Sequence, residues 1–454
     1  MMGSEALYVG DVVLPSGVLR GGAVEVRDGV VVNVYDEHQV PTGREAHDFR
    51  GLLILPGAVD PHVHAYSSST DQEGIERLTR SAATGGVTTI IDMPYDRPKA
   101  ITNAERFAAK VEIVDREAVV DVALFGTIAK YGGWQEIVPM ARAGACAFKM
   151  STYETDPDRF PEIPDSEIAL AFRELAKVGL TASFHAENGA LVDPYIERLY
   201  AQGEEHPRAH CWSRPLESES TAVLKLLEIA RVHPVKLHIV HLTSSQGYDA
   251  IDWYRSLGVD VTAETCTQYL ILDESALDEH RGLAKCNPPV RDEATRAELW
   301  NRLMDGQVDF VTSDHAPWSL AFKQKANIFD NASGMPGVDV LVPLLYSAAV
   351  ADRELPLPRF AELVSGGAAK RYGLHPRKGA IRIGADADLM VLDPDARWTF
   401  DASKSESVAK WSPYDRTPIQ GKVVRTVVRG KVVFDGDQVC GQPGDGEFIR
   451  PVHT

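Results

Sequence analysis

The chain has 454 residues, of which 47 are Lys or Arg and 65 are Asp or Glu, so its formal net charge is −18. Hydrophobic residues make up 44% and charged residues 25%, which is typical of a folded globular protein and excludes a largely disordered chain. The acidic balance argues against a nucleic-acid partner, which needs a basic face, and against an anionic membrane surface. The length fits two or three domains, or one large barrel with an appended domain.

The sequence also predicts where the protein resides. Its N-terminal residues lack the basic segment and apolar core of a signal peptide, and no run approaches the ~20 apolar residues that span a bilayer. The five cysteines are scattered, with no CxxC pair, which fits a reducing compartment. We therefore expect a cytoplasmic protein that does not associate with membranes.

Both ends of the chain share a β-rich pattern. Short β-branched segments punctuated by Gly and Asp occur near the N-terminus (ALYVGDVVL, GGAVEVRDG, VVVNVYDE) and again after Gly379 (AIRIGADADLMVLDP, KVVRTVVRGKVVF). Neither end has enough residues for a core of its own. We predict one small β-sandwich domain built from both termini, residues 1–56 and 378–454.

The middle of the chain alternates between strand-like and helix-like segments. Eight short apolar runs occur there: LLILPGAVD, VTTIIDMP, VDVALFG, GACAFKM, LTASFHAE, KLHIVHL, VDVTAET and VDFVTSD. The segments between most of them place apolar residues at helical spacing, so the order predicts βαβ units and a parallel sheet. Eight units are the number that a (β/α)8 barrel requires, here over residues 57–377. An open doubly wound sheet is the alternative, although the sequence lacks the GxGxxG loop that would favour it.

Ionisable residues end five of these eight runs. The residues are His62 and His64 after the first run, Lys149 at the end of the fourth, His185 in the fifth, His241 in the sixth and Asp314 in the eighth. In a barrel the carboxyl ends of the strands form one mouth, so these side chains should meet there. Residues two apart on a strand point to the same face, so both rings of the HxH pair could reach one metal. An HxH pair alone could equally be two hydrogen-bonding histidines, but the joint placement favours a zinc or related metal site.

Lys149 does not fit this pattern directly. A protonated amine has no lone pair and repels a metal, so the residue is either an ion-pair partner or a ligand neutralised by carboxylation. His238, Asp92 and His315 are candidates for supporting the metal site.

Other catalytic chemistries are less well supported. The sequence has no GxSxG elbow for a nucleophilic serine and no phosphate-binding loop, and Cys146 and Cys286 lie in apolar surroundings.

The ordered motifs resemble those of a known family. PGAVDPHVH, AFKM, FHAEN, VHLTSS and VTSDHAP are similar to the signature segments of the cyclic amidohydrolase branch of the amidohydrolase superfamily. The resemblance covers nearly the whole chain, including the late β-rich segments. It implies a distorted (β/α)8 barrel that carries a β-sandwich domain made from both termini, and a homotetrameric assembly.

The resemblance also implies a site with two divalent metal ions, usually zinc. When the family's ligand roles are transferred to the matching positions of this sequence, His62, His64 and Asp314 would hold the more buried ion. His185 and His241 would hold the second. Lys149, carboxylated, would bridge the two ions. Asp314 would also act as the catalytic acid and base.

The substrate implied is a small cyclic amide or ureide whose ring is opened by hydrolysis. LAKCNPPVR is similar to the allantoinase pattern, with Asn287 in place of the usual Ser, whereas Ala65 follows HxH where dihydroorotases carry Arg. Tyr153 lies one residue short of the substrate-binding Tyr of dihydropyrimidinases. The resemblance therefore favours an allantoinase-like reaction, allantoin to allantoate, over a hydantoinase, dihydropyrimidinase or cyclic imide hydrolase, and over a mononuclear deaminase or a non-enzymatic relative. The expected substrate-binding residues are Asn287, Gly334, Met335, Gly337 and Tyr153, while Asn287 and the segment 67–71 leave the exact substrate open.

Overall fold

The computed structural model describes residues 5–67 and 73–452. Strands from both ends of the chain form one seven-stranded sheet in the order β15-β14-β13-β4-β1-β2-β3. Its strands are β1 (Glu5–Leu14), β2 (Gly17–Arg27), β3 (Val30–Tyr35), β4 (His47–Pro56), β13 (Leu389–Thr399), β14 (Pro418–Val428) and β15 (Lys431–Phe434). The β1–β4 pair is parallel and the other neighbours are antiparallel. The junction of β4 with β13 therefore joins the N-terminal and C-terminal parts of the chain.

Eight parallel strands form the barrel, in the order of the sequence. They are β5 (Ala58–Val63), β6 (Val87–Asp92), β7 (Asp121–Gly126), β8 (Ala147–Ser151), β9 (Thr181–His185), β10 (Lys236–Ile239), β11 (Val261–Cys266) and β12 (Phe310–Thr312). The last strand returns to the first, because the His64 amide donates to the His315 carbonyl at 2.9 Å and the His315 amide donates to the His62 carbonyl at 3.2 Å. The predicted barrel with a β-domain from both termini is confirmed.

Helices fill the connections between the barrel strands and cover the barrel. The longer ones are α1 (Gly74–Thr84), α2 (Ala104–Glu117), α3 (Ile137–Ala143), α4 (Asp165–Val178), α5 (Gly189–Ala201), α7 (Leu216–Val232), α8 (Ser245–Ser256) and α11 (Glu293–Met304). Short helices complete the set: α6 (Ala209–Trp212), α9 (Thr267–Ile271), α10 (Ala276–His280), α12 (Leu341–Leu345), α13 (Leu357–Ala361) and α14 (Gly367–Arg371). Asn103 and Asp292 cap α2 and α11 by accepting a backbone N–H in the first turn, as polar residues at these positions commonly do. Within residues 5–67 and 73–452, no helix is long and apolar enough to cross a membrane.

The first apolar run of the sequence divides between the two sheets at Gly57. Residues up to Pro56 belong to the terminal sheet, and the barrel begins at Ala58. A Cβ atom at Gly57 would lie 2.1 Å from the Thr88 hydroxyl oxygen, so only glycine fits at this transition.

A buried ion cluster connects the barrel to the terminal sheet. The Lys378 ammonium lies 2.8 Å from an Asp386 oxygen and 2.6 Å from an Asp388 oxygen, and it also contacts Asp121 at the start of β7. These three carboxylates are close enough together to suggest a metal site, but the lysine already supplies the cation between them. The division of the chain into residues 1–56 plus 378–454 and residues 57–377 stays a prediction.

Candidate metal centre and active site

The six predicted ligands come together at the carboxyl end of the barrel. His62, Lys149 and His185 lie in the last residues of β5, β8 and β9, whereas His64, His241 and Asp314 lie just after β5, β10 and β12. His241 and Asp314 have positive φ angles of 41° and 46°. Non-glycine residues in this left-handed conformation are uncommon and cluster at functional sites.

His62, His64 and Asp314 form the first group. One Asp314 carboxylate oxygen (Oδ1) lies 3.2 Å from Nε2 of His62 and 3.4 Å from Nε2 of His64. Nitrogen and oxygen donors of this group lie close enough together to bind a single ion. The Lys149 Nζ lies 3.5 Å from the same His62 nitrogen, and its side chain is almost fully buried.

His185 and His241 form the second group. Nδ1 of His185 lies 2.9 Å from Nε2 of His241, and the two rings are nearly perpendicular. The His241 ring also stacks against His62, with 5.5 Å between ring centroids, so the two groups are adjacent. The other ring nitrogen of His241, Nδ1, is buried and has no hydrogen-bond partner among the described residues.

This donor set fits divalent metal ions. Two nitrogens bound to one tetrahedral zinc ion lie ~3.3 Å apart, close to the separations of 2.9 to 3.5 Å between the ligand atoms here. Burial lowers the pKa of His185, and it lowers those of His62 and His241 well below the usual value. These imidazoles are therefore neutral at pH 7, which leaves lone pairs available for a metal.

A buried carboxylate on β11, Glu264, fixes the orientation of the first group. It contacts Nδ1 of His62, so Nε2 of that ring points into the site. It also accepts from the Thr312 hydroxyl at 3.2 Å and from the His241 amide at 3.3 Å, and it lies 3.1 Å from Nε2 of His238. Carboxylates that orient metal-binding histidines in this way are common. His238 therefore reaches the site through Glu264.

A second carboxylate orients His185. Oε2 of Glu187 lies 2.7 Å from Nε2 of His185, so Nδ1 of that ring faces His241. The Arg214 guanidinium donates to the same Glu187 oxygen at 2.5 Å and lies over the Tyr153 ring at 4.7 Å from its centroid. Glu187 and Arg214 are both buried, so the ion pair is shielded from water.

All six predicted ligands line one open pocket. The lining includes a polar wall of Asn287, Ser333 and Gly334, in which the Ser333 hydroxyl donates to the Asn287 side chain at 3.0 Å. Trp318, Ser67, Tyr95, Thr155, Arg159 and Phe160 also line the pocket. A small ring could therefore lie over the metal ligands in contact with polar and aromatic side chains.

Comparison with known proteins agrees with this geometry. Residues 53–433 match the model of the amidohydrolase family. The chain belongs to the amidohydrolase family. An allantoinase from Rubrobacter xylanophilus is 35% identical over 449 residues, which is 97% of this chain and 98% of the relative. An allantoinase from Solibacter usitatus is 32% identical over 449 residues, which is 99% and 97% of the two chains.

Solved structures show the same fold. An L-hydantoinase (dihydropyrimidinase) from Arthrobacter aurescens superimposes with a TM-score of 0.92 at 30% sequence identity, over 98% of this chain and 99% of that one. A D-hydantoinase gives a TM-score of 0.91 at 25% identity, over 99% of each chain. The sequence relatives and structural neighbours thus bear names from the same cyclic amidohydrolase branch.

Two of the five substrate-binding residues predicted for this amidohydrolase line the pocket, and three do not. Asn287 and Gly334 are on its polar wall. The Tyr153 ring lies against the Arg214 guanidinium. The Met335 carbonyl accepts from Ala316, and the Gly337 amide donates to Nδ1 of His315 at 3.1 Å. Contact of any of the five with a substrate stays a prediction, and of the segment 67–71 only Ser67 lies within the described residues.

The sequence reasoning missed several residues of this amidohydrolase's pocket. Tyr95 and Phe160 stack at 3.7 Å between centroids, and Arg159 donates to the Tyr95 carbonyl at 2.8 Å and to Asp156 at 3.0 Å. These residues lie in long connections after β6 and β8, where hydrophobic periodicity gives no information. Glu264 was also missed, although it is a charged residue inside an apolar strand, and that signal could have identified it.

Proposed function

We propose that this amidohydrolase opens the ring of a cyclic amide or ureide by metal-dependent hydrolysis, and that allantoin is its substrate. The observation that carries the proposal is the convergence of four histidines, one aspartate and one lysine on the floor of a single pocket. The allantoinase relatives, which align over nearly the full chain, favour allantoin. The L-hydantoinase-like structure favours a 5-substituted hydantoin or dihydropyrimidine as the second candidate.

The residues would hold two divalent metal ions, which we propose to be zinc. His62, His64 and Asp314 would bind one ion, and His185 and His241 the other. When bound, such ions lower the pKa of water to about 7 and polarise a carbonyl group. Glu264 and Glu187 would hold the histidines in the tautomers that direct lone pairs into the site.

Lys149 would join the two groups as a carbamate. Burial lowers the pKa of its amine to about 8, so about a tenth of the side chain is unprotonated at pH 7, and only the free amine reacts with CO2. Lys149 Nζ lies beside Nε2 of His62, and β8 and β9 are adjacent strands on which Lys149 pairs with Ser183, two residues before His185. A carbamate at this position would place its oxygens between the two ligand groups and would replace a positive charge by a negative one.

Asp314 would move the proton during the reaction. Its carboxylate lines the pocket beside His62 and His64, where it would reach a water molecule attacking a carbonyl bound above the histidines. We assign it the transfer of a proton from that water to the departing ring nitrogen. The polar wall at Asn287, Ser333 and Gly334 would bind the ring amide through hydrogen bonds and hold the scissile carbonyl over the floor.

A substrate panel with purified, metal-loaded protein tests the proposal. The panel contains allantoin, 5-substituted hydantoins of both hands, dihydrouracil, dihydroorotate and cyclic imides. We expect the highest kcat/KM for allantoin. A preference for a hydantoin would replace allantoin by the second candidate, and no turnover of any ring would contradict the proposed reaction.

Metal counting separates this proposal from other chemistries of the fold. Two ions per chain, one of them lost in Lys149→Ala, would favour ring opening over a mononuclear deaminase. A non-enzymatic relative would be expected to have lost ligands, whereas this chain retains all six.

The homotetramer and the cytoplasmic location stay predictions. Size-exclusion chromatography with light scattering tests whether the protein is a homotetramer.

A further inference from the structure

A buried lysine lies behind the polar wall of the pocket. Lys323 is on the connection that follows Asp314, next to Leu320 and Phe322, whose large side chains are exposed. The Lys323 side chain is only 1% exposed, and none of the ion pairs among the described residues includes it. A buried cation without a carboxylate is costly for stability, so its position calls for another explanation.

The Lys323 ammonium donates to three backbone carbonyl groups. Its Nζ lies 2.9 Å from the Lys285 oxygen, 2.8 Å from the Ala332 oxygen and 2.6 Å from the Gly334 oxygen. It also lies 5.6 Å from the centre of the Trp411 ring, on the aromatic face that attracts cations. An ammonium group has three donors, so all three are used here.

The three carbonyl groups belong to the two segments that make the polar wall. Lys285 is two residues before Asn287, and Ala332 and Gly334 flank Ser333. The segments also bond directly, because the Gly334 amide donates to the Lys285 carbonyl at 2.9 Å. Lys323 therefore joins both segments at one point, directly behind the side chains that line the pocket.

Close packing makes the position of this wall sensitive to its support. Gly334 has a φ angle of 119°, and a Cβ atom there would lie 2.6 Å from the Cβ of Ala316. The indole of Trp318 donates to the Ser333 carbonyl at 2.9 Å. A displacement of Gly334 would thus move Ser333 and its hydrogen bond to Asn287.

We infer that Lys323 is a positioning residue that fixes the wall formed by Asn287, Ser333 and Gly334 at the distance that the substrate ring requires. The inference rests on the proposed function, since it assigns that wall to ring binding. Lys323 itself does not line the pocket, so it acts only through the backbone groups that it holds. Its loss should weaken substrate binding more than it slows the chemical step.

Steady-state kinetics of metal-loaded K323M tests the inference. Methionine keeps the length of the side chain and removes its three donors. We expect KM for the best ring substrate to rise about tenfold or more, because hydrogen bonds to a charged group are lost, while kcat changes by less than about threefold. K323Q, which keeps two donors, should show a smaller rise in KM and serves as the test if K323M does not fold. K325M is the matched control, since the exposed Lys325 lies on the same connection, and we expect wild-type KM from it.

Hydrogen exchange gives a readout that does not depend on the substrate. In K323M with unchanged metal content, the amide of Gly334 should exchange about tenfold faster than in the wild type. Wild-type KM and wild-type exchange in K323M would overturn the inference. If the wild-type protein opens no ring in the panel, the proposed function fails, and the exchange result alone decides whether Lys323 holds the wall.

Discussion

Replacing Glu264 by Gln tests how the metal site is supported. The Glu264 side chain is fully buried and contacts the side chain of one predicted ligand, His62, and the backbone of another, His241. Glutamine has the same shape but no charge, and its amide nitrogen cannot accept a hydrogen bond. The ring of His62 would lose the anionic acceptor that fixes its tautomer.

The size of the effect follows from these contacts. A hydrogen bond to a charged group contributes about 1.5–3 kcal/mol. Because 1.4 kcal/mol corresponds to a factor of ten, the loss of the negative charge from the His62 contact should weaken metal binding about tenfold to a hundredfold. The Thr312 hydroxyl and the His241 amide donate to Oε1, the same oxygen that contacts His62, and an amide oxygen there would still accept these bonds, so we do not add them to this range.

Competition with a metal chelator measures the effect. Metal content of Glu264→Gln, followed against chelator concentration, should fall to half at a free-metal concentration about tenfold to a hundredfold higher than in the wild type. Glu219→Gln is the matched control, because Glu219 is equally buried but contacts Thr243 rather than a predicted ligand. Equal chelator sensitivity in wild type and Glu264→Gln would refute the assigned role, as would equal losses in both variants.

Four further variants test other parts of the site and fold. Asp314→Asn should lower kcat by about a hundredfold or more, since it removes the proton carrier, in stopped assays with metal content verified. At fixed CO2 concentration, reactivation of metal-free protein should slow about tenfold from pH 7 to pH 6, because the Lys149 amine with its pKa of about 8 becomes protonated as pH falls, and Lys149→Ala should not reactivate. Lys378→Met should lower the free energy of unfolding by about 3–5 kcal/mol in denaturant titration, because it leaves the buried Asp388 without its cation, whereas Asp121 keeps Arg429 and Asp386 keeps Arg377. Arg159→Gln should raise KM for allantoin, whose ureido group carries a hydrogen-bond acceptor, about tenfold, and change KM for unsubstituted hydantoin less.

Each of these predictions has a contrary result. Full turnover in Asp314→Asn with bound metal would remove its assigned role, and pH-independent reactivation would argue against a carbamate at Lys149. Wild-type stability of Lys378→Met would mean that the carboxylates are protonated or hydrated. An equal KM change for both rings in Arg159→Gln would show that the guanidinium does not contact the ring substituent.

The strand ends of the barrel could be predicted from the sequence, but the loops could not. Buried parallel strands are short apolar runs, so a charged or imidazole side chain at the end of a run, such as His185 or Asp314, marks the barrel mouth directly. The pocket residues Trp318 and Phe160 come from long connections whose path depends on tertiary contacts. The supporting contact of Arg214 with Glu187 joins residues that are 27 positions apart, and no local pattern reports such a pairing.

Tyr153 shows what motif spacing leaves open. Its ring lies against the Arg214 guanidinium, and the pocket lining does not include it. Its contact with a substrate stays a prediction, because the path of the chain after β8 depends on tertiary contacts that spacing along the sequence does not report.

The proposed reaction is the opening of a cyclic ureide by water at a metal site. Incubation of metal-loaded protein with allantoin in water enriched in oxygen-18, followed by mass spectrometry of the product, tests it. We predict allantoate that carries one heavy oxygen in its new carboxylate, formed by the metal-loaded protein and not by the metal-stripped protein. Unchanged allantoin with the metal-loaded protein, or equal product with and without metal, would rule out this reaction.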